Sequence, residues 1–181
     1  MPQKPKILHR KLLATSALFR VEQIELRFSN GEERCYERLC AGSTAAVIVV
    51  PLVRDDTVLL IREYGVGVED YELALPKGRV EAGESLCEGA NREMKEEIGY
   101  GANRLTPLKC MTQSPSYMQH KTQVILAEDL YEERLQGDEP EPLEVIPMPL
   151  EELDQWVLRE DLSEARSIAA LYLAKQHLLN R

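Results

Sequence analysis

The sequence predicts an α/β fold, a mixed β-sheet packed between helices, extended at its N-terminus by an antiparallel β-hairpin. Three observations carry that expectation. The apolar run Ala45–Val53 has the length of a buried strand. Turn-forming clusters at Ser29-Asn30-Gly31-Glu32 and Arg54-Asp55-Asp56 divide the flanking β-rich runs into hairpins. From Leu86 the apolar residues switch to helical spacing.

In chain order, Leu18–Phe28 alternates loosely and Arg34–Leu39 follows the first turn as its partner strand. Ala45–Val53 and Thr57–Tyr64 flank the second turn, and a third strand region runs about Tyr71–Leu75. Leu86, Ala90, Met94 and Ile98 then mark one face of a helix of about four turns. Ser85 with Glu88 three residues on is a capping-box arrangement, and Gly99 stands where a left-handed stop belongs. Further strands are expected at Leu105–Gln113, Gln123–Glu128 and Glu144–Met148. Two helices follow, Leu150–Arg159 and Ser163–Leu179, the second with Ile168, Leu171, Tyr172 and Leu179 on one face. The linker-like Gly137–Pro142 is too short to separate domains, so the organisation expected is a hairpin extension over 1–44, a candidate dimer arm, and one domain over 45–181.

With 181 residues, 44% of them apolar, the chain can fill one core. Lys plus Arg number 22 against 31 Asp plus Glu, and the net charge of -9 argues against a protein that grips duplex nucleic acid. No apolar run approaches the roughly 20 residues that span a bilayer. The basic N-terminus lacks the apolar stretch of a secretory signal. Cys35, Cys40, Cys87 and Cys110 form no C-x-x-C pair, which leaves neither a zinc site nor a disulfide framework. A soluble cytoplasmic protein is expected, with no nucleic-acid or membrane partner.

The informative stretch is Gly78–Tyr100, GRVEAGESLCEGANREMKEEIGY. Glu93, Glu96 and Glu97 lie at i, i+3 and i+4 on one helix face, where like charges oppose helix formation by about 0.2–0.5 kcal/mol per pair. A hard divalent cation reverses that sign, because Mg²⁺ takes carboxylate oxygens together with waters and substrate phosphates. The bland alternative is a solvated charged face balanced by Arg92 and Lys95.

The wider pattern decides between them. Gly78, Glu84, Arg92, Glu93, Glu96, Glu97 and Gly99 fill every fixed letter of G-x5-E-x7-R-E-U-x-E-E-x-G-U, with Met94 and Tyr100 at the bulky apolar positions. At about 7% per fixed residue, a chance match in such a chain has a probability on the order of one in a million. The segment resembles the signature of the Nudix hydrolases. The resemblance implies an α/β/α sandwich and hydrolysis of a nucleoside diphosphate linked to another moiety. It also implies two to three Mg²⁺ ions per site, with Mn²⁺ as an alternative. It makes Glu93 and Glu97 metal ligands, Glu96 a ligand or catalytic group beside them, and the backbone carbonyl of Lys77 or Gly78 a further ligand. Arg92 and Glu84 become a charge pair bracing loop to helix, with Gly78 and Gly99 as the other supporting positions.

Outside the box, Pro115 stands 15 residues after Tyr100 and Tyr117 stands 17 after it. These positions resemble markers of the ADP-ribose and diadenosine polyphosphate branches respectively. Taken over nearly the whole chain, the resemblance is to bacterial family members acting on ADP compounds. It implies cleavage of ADP-ribose, NADH and diadenosine di- or triphosphates with AMP as common product. The stretch from Glu128 to Glu144 holds eight acidic residues and one basic one, and Glu139 and Glu141 sit in its proline-stiffened part. The resemblance to ADP-ribose pyrophosphatases makes Glu139 the candidate base and Glu141 an extra metal ligand. Tyr117 offers a ring for adenine, and Arg62, Lys77 or Arg79 offer charge to the diphosphate. N-terminal hairpins in similar enzymes cross to a second subunit, so a homodimer is expected. Two other readings stay open: a non-catalytic sensor of ADP-ribose or NAD, and an RNA 5′-end pyrophosphohydrolase.

Overall fold

The protein is described by a computed structural model that covers residues 2–40, 42, 44–54 and 56–181, so Asp55 of the second expected turn lies outside the described residues. The chain divides into two compact units, the first built from the N-terminal segment to position 43 with Thr112–Lys121, the second from Thr44–Met111 with Thr122–Arg181.

The first unit is a three-stranded antiparallel sheet of β1 (Lys6–Thr15), β2 (Arg20–Arg27) and β3 (Glu33–Leu39), in that order. The expected hairpin is β2–β3, closed by Phe28 N donating to Glu32 O at 2.9 Å. Strand β1 is an addition to the sequence expectation, and its ladder explains why it was hidden. Register shifts fall between Ile7 and His9 and between Leu12 and Ala14, leaving Leu8 and Leu13 as extra residues. Each bulge rephases the strand by one residue, so apolar residues occur in doublets and period-two alternation is lost. All ten β1 residues are exposed. The 114–119 connection is tied to β3 by Leu39 N donating to Tyr117 O (2.8 Å) and Gln119 N donating to Leu39 O (3.0 Å).

The second unit is a mixed sheet with helices on both faces. Its strands are β4 (Ala46–Val53), β5 (Thr57–Gly65), β6 (Asp70–Ala74), β7 (Lys77–Arg79), β8 (Tyr100–Gln113), β9 (His120–Glu132) and β10 (Glu144–Pro149). The order is β10-β5-β4-β9-β8, with β6 on β5 and β7 on β4; β4 runs parallel to β9 and antiparallel to β5 and β7. A strand covered on both faces must be apolar at every position, which is why β4 reads as an unbroken run. Val47 and Val49 pack with Ala90 and Met94 of α1 (Leu86–Glu97) and with its C-cap Ile98. Ile48, Val50 and Leu52 pack on the other face with Leu153, Ala170, Leu171 and Ala174. Those belong to α2 (Leu153–Trp156) and α3 (Ala165–Leu179).

Helix α1 starts and stops where its sequence says. Ser85 Oγ accepts from Glu88 N (3.2 Å), Glu88 Oε2 accepts from Ser85 N (2.8 Å), and Gly99 turns the chain at φ +76°. The C-terminal helices differ from expectation. Leu150–Arg159 is a 3₁₀ turn over Leu150–Glu152 followed by the single turn of α2; Arg159 then stacks on Trp156 and pairs with Asp161, redirecting the chain. In α3 the fully buried strip is Ser167, Ala170, Leu171 and Ala174, with Ile168 and Tyr172 half-buried. Leu179 lies in the last turn and is exposed. Ser167 Oγ accepts from Leu75 N (2.9 Å) and fixes the strand exit that leads into β7. Among the described residues no helix is long and apolar enough to cross a membrane.

Candidate active site

Strand β7 and helix α1 place the box residues in the second unit. The three β7 residues pair with Ile48, Val47 and Ala46 of the central strand, so the turn before α1 starts from a fixed point. A cavity of about 910 Å³ opens here, walled by Lys77–Glu81, by the carboxylate face of α1 and by residues 134–143. Glu93, Glu96, Glu97, Asp138, Glu139 and Glu141 all line it. Helix and acidic segment thus converge although about 40 residues separate them, the distance being closed by the β8–β9 excursion.

Glu97 is the most buried of these, 7% exposed, and accepts a hydrogen bond from Lys77 N (3.1 Å). Burial pushes its carboxyl up to about 9, opposed by the Lys77 charge and reinforced by Glu93. Burial also raises the Glu93 carboxyl against the pull of Arg92. Gly78 is required beside it, because a Cβ at that position would occupy the space of the Glu93 carboxylate. Glu139 is raised as well, by burial first and then by the Glu63 and Asp138 charges.

Arg92 is the hub of the site. Its Nε and Nη2 donate to Glu84 (2.9 and 3.2 Å), Nη2 also donates to Arg79 O (2.7 Å), and Nη1 donates to Glu93 (3.0 Å) and Glu96 (2.9 Å). Glu84 in turn accepts from Glu81 N (2.8 Å), so its carboxyl is held below its ordinary range, chiefly by Arg92. This is the loop-to-helix brace in atomic form. Because Nη1 reaches between Glu93 and Glu96, no three acidic side chains among the described residues converge on one point as they stand. The donor chemistry nevertheless suits a hard divalent cation. It is all oxygen, and no cationic side chain is hydrogen-bonded to the buried Glu97 among the described residues.

The other residues singled out in the sequence fall in three places. Arg79 lines the cavity. Lys77 lines it too, with its ammonium paired to Glu63. Arg62 does not; its guanidinium is occupied by Glu144 (3.0 Å) and Asp161 (3.3 Å), where it straps β5 to β10 and to the loop before α3. Tyr117 belongs to the first unit and is 57% exposed. Pro115 is exposed in the same connection.

Arg134, Glu63, Asp138 and Tyr71 were not singled out as site residues. Arg134 lines the cavity and donates from Nη1 to Glu96 O (3.4 Å) at the α1 C-terminus. Its signal was legible, since it is the one basic residue in the acidic stretch from Glu128 to Glu144. Glu63 and Tyr71 gave none, because a polar or aromatic residue on a strand reads as ordinary alternation.

Comparison with known proteins agrees with this geometry. Residues 5–38 match the model of the NudE-type Nudix hydrolase N-terminal domain, and residues 42–172 match the NUDIX domain. The chain is 49% identical over 176 residues to the ADP compounds hydrolase NudE of Escherichia coli K12, covering 97% of this chain and 94% of that protein. It is 28% identical over 171 residues to an ADP-ribose pyrophosphatase of Bacillus subtilis, covering 92% of each. A crystal structure of an ADP compounds hydrolase superposes with a TM-score of 0.92 at 47% identity, covering 99% of this chain and 97% of that one. A complete box on a cavity wall, in a sheet sandwiched by helices, and these matches lead to one conclusion: the chain belongs to the Nudix hydrolase family.

Proposed function

We propose that this chain is a Mg²⁺-dependent pyrophosphohydrolase that splits the diphosphate of ADP-containing metabolites and releases AMP. Nudix hydrolases in general need a divalent metal such as Mg²⁺. The observation that carries the reading is the single cavity lined by the α1 carboxylates together with Glu139 and Glu141. The substrate class is supported by the relatives, named for ADP compounds and for ADP-ribose.

Glu93, Glu97 and Glu141 would hold the metal, with Glu96 beside them and the Lys77 carbonyl as an added ligand, for two to three ions, Mg²⁺ or Mn²⁺. A divalent cation there supplies neutralisation of diphosphate charge and a water of lowered pKa. The chain's own groups do the rest. Glu139, its carboxyl raised above the ordinary range by burial, takes the proton from the attacking water. The new P–O bond forms as the bridging P–O bond breaks, leaving AMP and a second phosphorylated product. Arg79 and Arg134 contact the diphosphate, the role Arg62 cannot take while Glu144 and Asp161 hold it. Arg92 and Glu84 keep the helix carboxylates in place.

The experiment is a panel of ADP-ribose, NADH, diadenosine triphosphate and ADP-glucose with Mg²⁺, read as AMP. AMP from at least one is expected, and folded protein that releases none disproves the activity. Glu139→Gln should lower kcat by about 10²–10⁴-fold and remove the rise of kcat/KM with pH; an unchanged profile assigns the base elsewhere.

A homodimer is supported by the first unit. Among the described residues its edge strand β1 is unpaired on one side, and Leu12, Leu18 and Phe19 are at least half exposed. A second copy would cover them. Sedimentation equilibrium should give twice the chain mass, and a monomer at micromolar concentration refutes the pairing.

A further inference from the structure

The geometry points to Tyr71 as a positioning residue of the site: its hydroxyl holds the Glu141 carboxylate, and with it the 136–143 segment, where that carboxylate can serve a cation. The inference rests on the reading of Glu141 as a metal ligand and adds to it a residue outside the box and outside the acidic segment.

Tyr71 Oη donates to Glu141 Oε1 at 2.5 Å across 70 residues of sequence. The phenol is itself braced. Tyr71 on β6 pairs in the ladder with Tyr64 on β5, and the rings meet edge to face with centroids 5.3 Å apart and planes at 68°. The segment it holds is fixed at both ends. On one side Glu133 N donates to Gly99 O (3.0 Å) and Leu135 N to Lys95 O (3.1 Å), stitching the chain to the α1 C-terminus. On the other, β10 begins with Glu144 paired to Arg62. Between these anchors lie eight residues, and among the described residues the Tyr71 bond is the hydrogen bond that ties them to the sheet.

Pro140 and Pro142 restrict φ on either side of Glu141 but leave its side chain free to turn. The hydroxyl removes that freedom while engaging one carboxylate oxygen, so Oε2 remains for a ligand. This is how outer partners of metal-binding carboxylates act, and their loss typically weakens metal affinity or activity by about 10–100-fold.

The test measures Mn²⁺ binding by electron paramagnetic resonance in the wild type, Tyr71→Phe, Glu141→Gln and the double variant, with thermal midpoints as a control on folding. Tyr71→Phe should weaken one Mn²⁺ site about tenfold, the same site that Glu141→Gln weakens. It should add nothing in the Glu141→Gln background and leave the thermal midpoint unchanged, since Tyr71 is 44% exposed. Turnover of Tyr71→Phe should recover at high Mn²⁺. Wild-type Mn²⁺ affinity in Tyr71→Phe, with Glu141→Gln impaired, overturns the positioning role and leaves the ligand role standing. Wild-type affinity in Glu141→Gln overturns the ligand role itself. If Tyr71→Phe is wild type and only Tyr71→Ala raises KM, the ring contacts substrate and the inference is overturned.

Discussion

Glu97→Gln is expected to lower turnover by more than about 100-fold while raising the thermal midpoint of the metal-free protein. The loss of rate follows from the proposed ligand role, since even the outer partners of metal ligands cost about 10–100-fold. The gain in stability follows from burial. Glu97 is 7% exposed, and its carboxyl rises from about 4.5 in the unfolded chain to about 9 in the fold. A group raised on folding contributes stability that is complete below its unfolded value and is lost as pH climbs through its folded value. The metal-free wild type should therefore lose stability between about pH 4.5 and 9, by up to about 1.4 kcal/mol per pH unit from this group alone. Glutamine has nothing to ionise and can still accept from Lys77 N. The midpoint difference between variant and wild type should be near zero at pH 4.5 and reach several degrees by pH 8. Mg²⁺ should reverse the order, stabilising the wild type and not the variant. Calorimetric scans in EDTA and in Mg²⁺ at several pH values check both halves, and a variant that keeps its Mg²⁺ shift contradicts the ligand assignment.

Gly78→Ala should cost most of the activity and little of the fold. The added Cβ would stand where the Glu93 carboxylate stands, but what it meets is the end of a flexible side chain. Relief is a rotamer change at Glu93 and not a backbone shift, so the stability cost stays within about 1 kcal/mol. The carboxylate itself leaves the cavity wall, and turnover should fall by about 100-fold or more, comparable to loss of a ligand. Urea unfolding and kcat measured on one preparation separate the two effects. A variant that loses stability in proportion to activity would show that Gly78 serves packing and not the carboxylate.

Legibility varied along the chain for identifiable reasons. The ends of helix α1 were legible because what defines them is local: a capping box at Ser85, apolar residues every fourth position, and a left-handed glycine past its end; at 12 residues it is nearer three turns than the four expected. Strand β4 was legible because two-sided burial leaves an unbroken apolar run, and β5 because the buried stretch 58–61 follows the turn before the strand turns polar. Strand β1 was not, since two bulges destroy the alternation that would betray it. Strand β7 has three residues and no pattern to show; it exists because the central strand offers it partners. The helix expected over Leu150–Arg159 has the right composition and is cut short by an Arg159 stack and ion pair that no periodicity encodes.

The site divides in the same way. That Glu93, Glu96 and Glu97 share a face follows from 3.6 residues per turn, and sequence spacing alone determined it, together with the family and the acidic character of the chemistry. Sequence spacing is silent about depth and about partners distant in the chain. Only the tertiary structure decided that Glu97 is buried while Glu96 is partly exposed, that Arg92 reaches between Glu93 and Glu96, and that Arg62 is already engaged. It also brought Tyr71 to Glu141 and Arg134 to the end of α1. Local periodicity comes from backbone geometry and is written in neighbouring residues. Burial and long-range pairing come from how strands and helices stack, and they exist only once the chain has folded.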